Sequence, residues 1–243
     1  MQINFKITHL ESVDSTSNYV ATAFAQGKIS HGSVILADKQ TSGRGQREAT
    51  WQSEGGLNLL FSFLVIPDNM SAFEGQSLMH CTTLALVELL KSFGIKAQIK
   101  WPNDVYVGNK KMAGILIENQ LSGSRISRSI IGVGLNINQA DFGELNATSL
   151  FLETGKYADL KEALLRFLYQ FNEHWLLLCA NHASQLKSKY CSKLLGLNQT
   201  ITFEDANGEF SGVISGVDDS GRLQVETAQG QNVYDLKEIQ FKL

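Results

Sequence analysis

The chain has 243 residues, 43% of them hydrophobic and 19% charged, enough for one sizeable core with a small module attached. Lys+Arg 21 against Asp+Glu 24 leaves a net charge of −3, whereas a protein that coats a duplex needs a strong basic excess; no nucleic-acid partner is expected. No apolar run approaches the ~18 residues of a membrane span, the N-terminus lacks the apolar stretch of a secretory signal, and Cys81, Cys179 and Cys191 form no CxxC or zinc pattern. The expectation is a cytoplasmic protein with no membrane partner, no disulfide framework and no protein-bound metal.

Residues 3–10 alternate Ile3, Phe5 and Ile7 with Asn4, Lys6 and Thr8, the pattern of a half-buried strand. Asp14-Ser15-Thr16 offers N-cap oxygens to a helix carrying Tyr19, Val20, Ala23 and Phe24, and Gly27 ends it. Residues 33–38 and 57–65 read as buried strands. Between them lies a polar, glycine-punctuated loop of 18 residues, Lys39 to Gly56; loops of that length in compact domains are uncommon and usually functional. Ser71 and Glu74 form a capping box for a long helix ended by Gly94. Strands are expected at 97–101, 104–107, 110–119 and 126–137, turning at Gly108-Asn109 and at Ser122-Gly123-Ser124. Asp159 with Glu162 caps another helix, whose apolar stripe is Leu160, Leu164, Leu168, Phe171, Trp175 and Leu178. After about Leu195, short segments at 200–204, 209–217, 222–227 and 231–235 alternate with turn signals, as in a small β-barrel or sandwich. The fold class is therefore α+β: a mixed β-sheet with helices over residues 1–195, and a C-terminal all-β module over 196–243 that docks on it.

Three segments carry chemistry. In the 39–56 loop, Lys39, Arg44 and Arg47 occur with no acid before Glu48. Gly43 and Gly45 flank Arg44, where φ > 0 and exposed N–H groups suit a polyanion, and Trp51 offers a flat surface of the kind that stacks on a purine. No GK[ST] or GxGxxG is present, and a solvated basic connector is the bland alternative. Next, Lys100-Trp101-Pro102-Asn103-Asp104 makes a good turn, but one flanked by Lys96, Lys110 and Lys111. Pro102 favours an extended Trp101. Lys111 starts a strand with small residues at Ala113 and Gly114; it serves either an anion or the solubility of an edge strand. Finally, Gly132, Gly134 and Asn136 interrupt a Val/Ile-rich strand, which alone reads as a bulge or close packing. Together the three describe one sheet face holding a flat ligand.

Asp14-Ser15-Thr16-Ser17-Asn18, Gln40-x-x-Gly43-Arg44-Gly45, Trp51, Lys100-Trp101-Pro102-Asn103-Asp104, Lys111-x-x-Gly114-Ile115-Leu116-x-Glu118 and Gly132-x-Gly134-x-Asn136 occur in this order. The set resembles the biotin–protein ligases, from about residue 7 to the C-terminus. The resemblance implies a catalytic core like that of class II aminoacyl-tRNA synthetases and a small SH3-like barrel. It also implies a two-step reaction. Biotin and Mg·ATP give biotinyl-5′-AMP and pyrophosphate, and a lysine of a biotin carboxyl carrier domain of biotin-dependent carboxylases then takes the biotinyl group.

By the same resemblance Ser15, Thr16, Ser17 and Gln40 meet the ureido ring of biotin or its neighbourhood. Gly43, Gly45 and Gln46 belong to the biotin-binding loop, and Gly114 and Gly132 accept the apolar body. Arg44 and Lys111 hold carboxylate and α-phosphate together, Arg47 reaches the ATP phosphates, Trp51 covers the adenine and Asn136 meets the adenylate. Asp104 orients or deprotonates the incoming lysine, or caps its turn, and Lys242 stands where relatives place an ATP-contacting Arg. Ser17 replaces a frequent Asn, and the GRGQREATW loop is less basic than is usual at Gln46, Glu48, Ala49 and Thr50. A lipoate or octanoate ligase on the same core is the competing reading. A biotin-sensing repressor is disfavoured, because 13 residues before Asp14 leave no room for a DNA-binding domain. A monomer or a homodimer is expected, the latter through free edges near 110–119 and 126–137.

Overall fold

The computed structural model describes residues 1–46 and 49–242. Seven strands, β1 (Lys6–Val13), β2 (Ser33–Gln40), β3 (Leu59–Val65), β4 (Gln98–Lys100), β5 (Asp104–Val107), β6 (Lys110–Ser122) and β7 (Arg125–Leu135), form one sheet in the order β1-β2-β3-β7-β6-β5-β4. β1 and β2 are parallel, joined through helix α1 (Thr16–Ala25), and every other pairing is antiparallel. This is the mixed α+β core expected from the alternation of strand and helix signals.

Side chains alternate across the sheet. From β3, Phe61 and Phe63 point to helix α4 (Leu160–Cys179) and meet Phe167 and Phe171 edge-on, with Phe63 and Phe171 4.8 Å apart. Helix α2 (Gln76–Ser92) packs beside α4 on the same face. Leu64 and Ile35 point the other way and bury Val20 of α1. Between α1 and β6 that second face stays open, and the site lies there.

Several elements differ from expectation. The first strand begins at Lys6 rather than residue 3, because Ile3 is buried and tied to α4 through reciprocal bonds with the Asn172 amide, both 2.9 Å. The Ser71–Glu74 capping box is present but opens a 3-10 turn, Ala72–Gly75, ahead of α2. Helices α3 (Leu150–Thr154) and α5 (Ala183–Cys191) carried no clear sequence signal. The expected free edges are covered in part. β7 is flanked by β6 along its length and by β3 over residues 129–135, and β6 is flanked by β5 only up to Gly114. The β4 edge is covered by main-chain bonds between Ile99 and Lys193 and between Ile99 and Leu195.

The C-terminal strands β8 (Thr200–Asp205), β9 (Gly208–Val217), β10 (Leu223–Thr227), β11 (Gly230–Tyr234) and β12 (Gln240–Lys242) form a second antiparallel sheet, order β11-β10-β9-β8-β12. β12 was not anticipated; three residues are too few to show alternation. Phe203, Ile214, Leu223 and Val225 merge with the main core rather than forming one of their own, as a module this small requires. Trp101 Nε1 donates to Gly221 O (2.8 Å) and Lys187 pairs with Asp219 (2.7 Å), locking the two sheets together.

Candidate active site

The site begins where β1 and β2 end. Thr16, first residue of α1, donates its backbone N–H and its hydroxyl to Gln40 Oε1 (2.8 and 3.0 Å). Its hydroxyl also meets Ser62 Oγ at 2.7 Å, and Ser17 Oγ meets the same atom at 2.9 Å. Ser15 supplies the N-cap position but makes no side-chain cap bond. Ser15, Thr16, Ser17 and Ser62 are all buried, so four hydroxyls and one amide line the deep end of a cavity of about 250 Å³. Ser62 was missed in the sequence. Its signal is one hydroxyl in the otherwise apolar run Leu59–Val65.

The floor is glycine. Gly114 and Gly134 are cross-strand partners on β6 and β7, and the Trp51 ring lies directly on both; a Cβ at Gly114 would stand 2.9 Å from Trp51 Cζ3, and one at Gly134 would overlap the ring. A Cβ at Gly132 would approach Ser17 Oγ to 2.8 Å. The β6–β7 register is continuous through all three glycines and shifts only beyond Gln120, so close approach, not a bulge, is what they provide. Gly134, placed on the ligand-holding sheet face by the sequence but given no contact of its own, is the glycine closest to the Trp51 ring.

The loop folds back on itself as an irregular hairpin. Trp51 N–H donates to Gly43 O (3.0 Å), Gly45 N–H to Ala49 O (2.7 Å), and Arg44 bridges to Thr50. Gly43 and Gly45 do not have the positive φ expected of them; both are needed because a Cβ would strike the carbonyl of Trp51 or Ala49 across the hairpin. Arg44 is thereby aimed over β6. It forms a bidentate pair with Glu118 (2.6 and 3.1 Å) and donates to Asn18 Oδ1 (2.9 Å), and Asn18 in turn donates to Asp14 (2.7 Å). That bond and the Arg44 charge hold the Asp14 carboxyl below its ordinary pKa.

In the Lys100–Asp104 segment each side chain has a separate task. Trp101 is buried against the barrel, the Trp101–Pro102 bond is cis, and Pro102 O accepts from Tyr190. Asn103 donates to Ile115 O (2.6 Å) and fastens the turn to β6. Asp104 does not cap the turn; it pairs with Lys111 at 2.8 Å. Lys111 is paired with β5 at Tyr106 and its Nζ lies 5.6 Å from the Trp51 ring, so the edge-strand reading fails and its ammonium faces the cavity. Lys100 instead lies on Tyr106 and Phe241 (5.0 and 5.5 Å), where burial lowers its pKa.

Ser15, Thr16, Ser17, Gln40, Arg44, Gly45, Gln46, Trp51, Asp104, Lys111, Gly114 and Gly132 thus converge on one cavity. Gly43 sits just behind it, against the Trp51 carbonyl. Two expected residues lie elsewhere. Asn136 is buried behind β6 and gives its amide to the carbonyls of Thr148 (3.0 Å) and Lys111 (3.4 Å). Lys242 is engaged by Glu204 and Glu209 on the barrel, away from the cavity. The barrel residue that does line the cavity is Lys237. Arg47 falls outside the described residues. Among those described, no group of three His, Cys, Asp or Glu side chains is placed to hold a metal.

Comparison with known proteins places these features among relatives. Residues 9–136 match the Biotin/lipoate A/B protein ligase family, and residues 196–240 match the Biotin protein ligase C terminal domain. The chain is 31% identical over 241 residues to the biotin--[acetyl-CoA-carboxylase] ligase of Paracoccus denitrificans, covering 96% of this chain and 99% of that one. It is 33% identical over 229 residues to the bifunctional ligase/repressor BirA of Bacillus spizizenii, covering 90% of this chain and 69% of that protein. Among solved structures, biotin protein ligase from Aquifex aeolicus in complex with biotin and ATP superposes with a TM-score of 0.79, at 30% identity and over 98% of each chain.

Proposed function

We propose, for a chain that belongs to the biotin–protein ligase family, that it activates biotin with Mg·ATP and passes the biotinyl group to a lysine of a biotin carboxyl carrier domain. One observation carries the reading. A single cavity joins a buried cluster of hydroxyls and an amide, a glycine floor under an indole, and two cations that each face a carboxylate. The polar cluster, now bonded within itself, can offer donors and acceptors to a ureido ring, whereas an octanoyl or lipoyl tail has no polar group there to meet it. This favours biotin over lipoate.

In the first step a biotin carboxylate oxygen bonds to the α-phosphorus of ATP, the bond from that phosphorus to the bridging oxygen breaks, and pyrophosphate leaves. Two anions must be brought together for this, so the work of the protein is positioning and charge stabilisation. Arg44 and Lys111 are fit for it because both line the cavity, paired at present with Glu118 on β6 and with Asp104 at the start of β5. The cations exchange those carboxylates for the substrate anions. In the second step the ε-amine of the carrier lysine attacks the biotinyl carbonyl carbon and AMP departs. Asp104, released by Lys111, is the carboxylate beside the anhydride that orients the amine and accepts its proton.

Biotin-dependent exchange of pyrophosphate into ATP by the purified protein, followed by transfer to a carrier domain, tests the reading. Exchange with biotin and not octanoate is expected; exchange with octanoate alone would overturn it.

A further inference from the structure

We propose that Lys237, contributed by the C-terminal barrel, holds the β- and γ-phosphates of ATP at the rim of the cavity and stabilises pyrophosphate as it leaves. The inference rests on the ATP-dependent activation proposed above. Three observations support it.

Lys237 lines the same cavity as Arg44 and Lys111, yet comes from the connection between β11 and β12 and is exposed, which sets it at the mouth. The other two cations already face carboxylates, whereas Lys237 forms no ion pair with any described residue. Its backbone is also held in an unusual conformation. Among the described residues four non-glycines have positive φ; three are Asn69, Asn181 and Asn198, the residue type that tolerates it, and the fourth is Lys237 at 73°. The turn that imposes this is closed on both sides, Asp235 N–H donating to Glu238 Oε2 (2.7 Å) and Glu238 N–H to Asp235 O (3.1 Å). A lysine kept where glycine is favoured, at the edge of a site, marks strain retained for a purpose.

The chemistry says which part of the substrate it meets. Biotin carboxylate and α-phosphate must lie side by side between Arg44 and Lys111. The rest of the triphosphate then runs outward, and negative charge accumulates on it as the bond to the α-phosphorus breaks. An ammonium at the rim with no carboxylate to release first is suited to that charge.

Lys237→Gly removes the ammonium while relaxing the φ, so its melting temperature should equal or exceed that of the parent. In biotin-dependent pyrophosphate exchange its KM for ATP should rise by about tenfold, with KM for biotin within about twofold. Lys237→Arg, which keeps the charge, should restore the ATP value. An unchanged KM for ATP in Lys237→Gly, an equal rise in both KM values, or a defect confined to transfer onto the carrier would each overturn the assignment. Parent protein that shows no biotin-dependent exchange would instead overturn the functional reading, so the two failures are separate.

Discussion

Lys111 and Ser62 show how single side chains divide the work. Lys111 is held on both sides of the chain by main-chain pairing, with Tyr106 on β5 and with the Asn146–Ala147 segment, so its backbone does not depend on its ammonium. Lys111→Ala should therefore keep the fold, as read by the melting temperature, while lowering pyrophosphate exchange by about 100-fold or more, the loss seen when one preorganised donor is removed. Ser62 is the common partner of Thr16 and Ser17. Ser62→Ala should raise the KM for biotin by about tenfold and leave that for ATP nearly unchanged; equal shifts in both would show that the hydroxyl supports the whole site. Lys111, Asp104 and the glycines were legible from sequence because residue type and local spacing reveal them. Ser62 and Lys237 were not, because they enter the cavity only through pairing and docking between distant segments. Asn18 stood in the recognisable motif, but its bond to Arg44, 26 positions further on, was not legible.

Elements impose the geometry that residues exploit. The length of the 39–56 loop singled it out in the sequence, and the structure shows it folded against the sheet at the cavity, its Trp51 lying on Gly114 and Gly134. The indole Nε1 is buried with no partner among the described residues. Gly134→Ala places a methyl within the ring and should lift the loop. Red-shifted Trp51 fluorescence and faster escape of biotinyl-AMP are expected, and unaltered fluorescence with unaltered retention would refute the account. Continuous apolar runs identified β2 and β3, and regularly spaced turn signals identified the C-terminal barrel. Neither could identify β12, and strand alternation misplaced β1, whose residues are mostly exposed while Ile3 is recruited by α4.

At the scale of the molecule, one core serves both sheets, and protonation of the helical layer is coupled to it. His80 on α2 lies against Tyr190 on α5, 4.3 Å between rings, and burial, aided by the Lys187 charge, pushes its pKa down to about 4. The unfolded chain takes up this proton near the ordinary value of about 6.5. Stability is therefore complete above about 6.5 and is lost as pH falls toward 4, by roughly 3 kcal/mol for this group. His31 and His174, whose pKa values burial also lowers, act in the same direction. Urea melts at pH 7.5 and 5 should show the loss, and His80→Phe, which keeps an aromatic ring on Tyr190, should reduce it. An identical pH dependence in both proteins would assign the effect elsewhere.

The pairing of Arg44 with Glu118 and of Lys111 with Asp104 has a consequence for selectivity. Each cation brings its own counter-ion, so on the proposed reading a lone anion would gain little by displacing one carboxylate, and ordinary phosphate or acetate is expected to compete poorly. A ligand pair that presents carboxylate and phosphate together would displace both at once. Such a site would discriminate by the coincidence of two charges rather than by affinity for either.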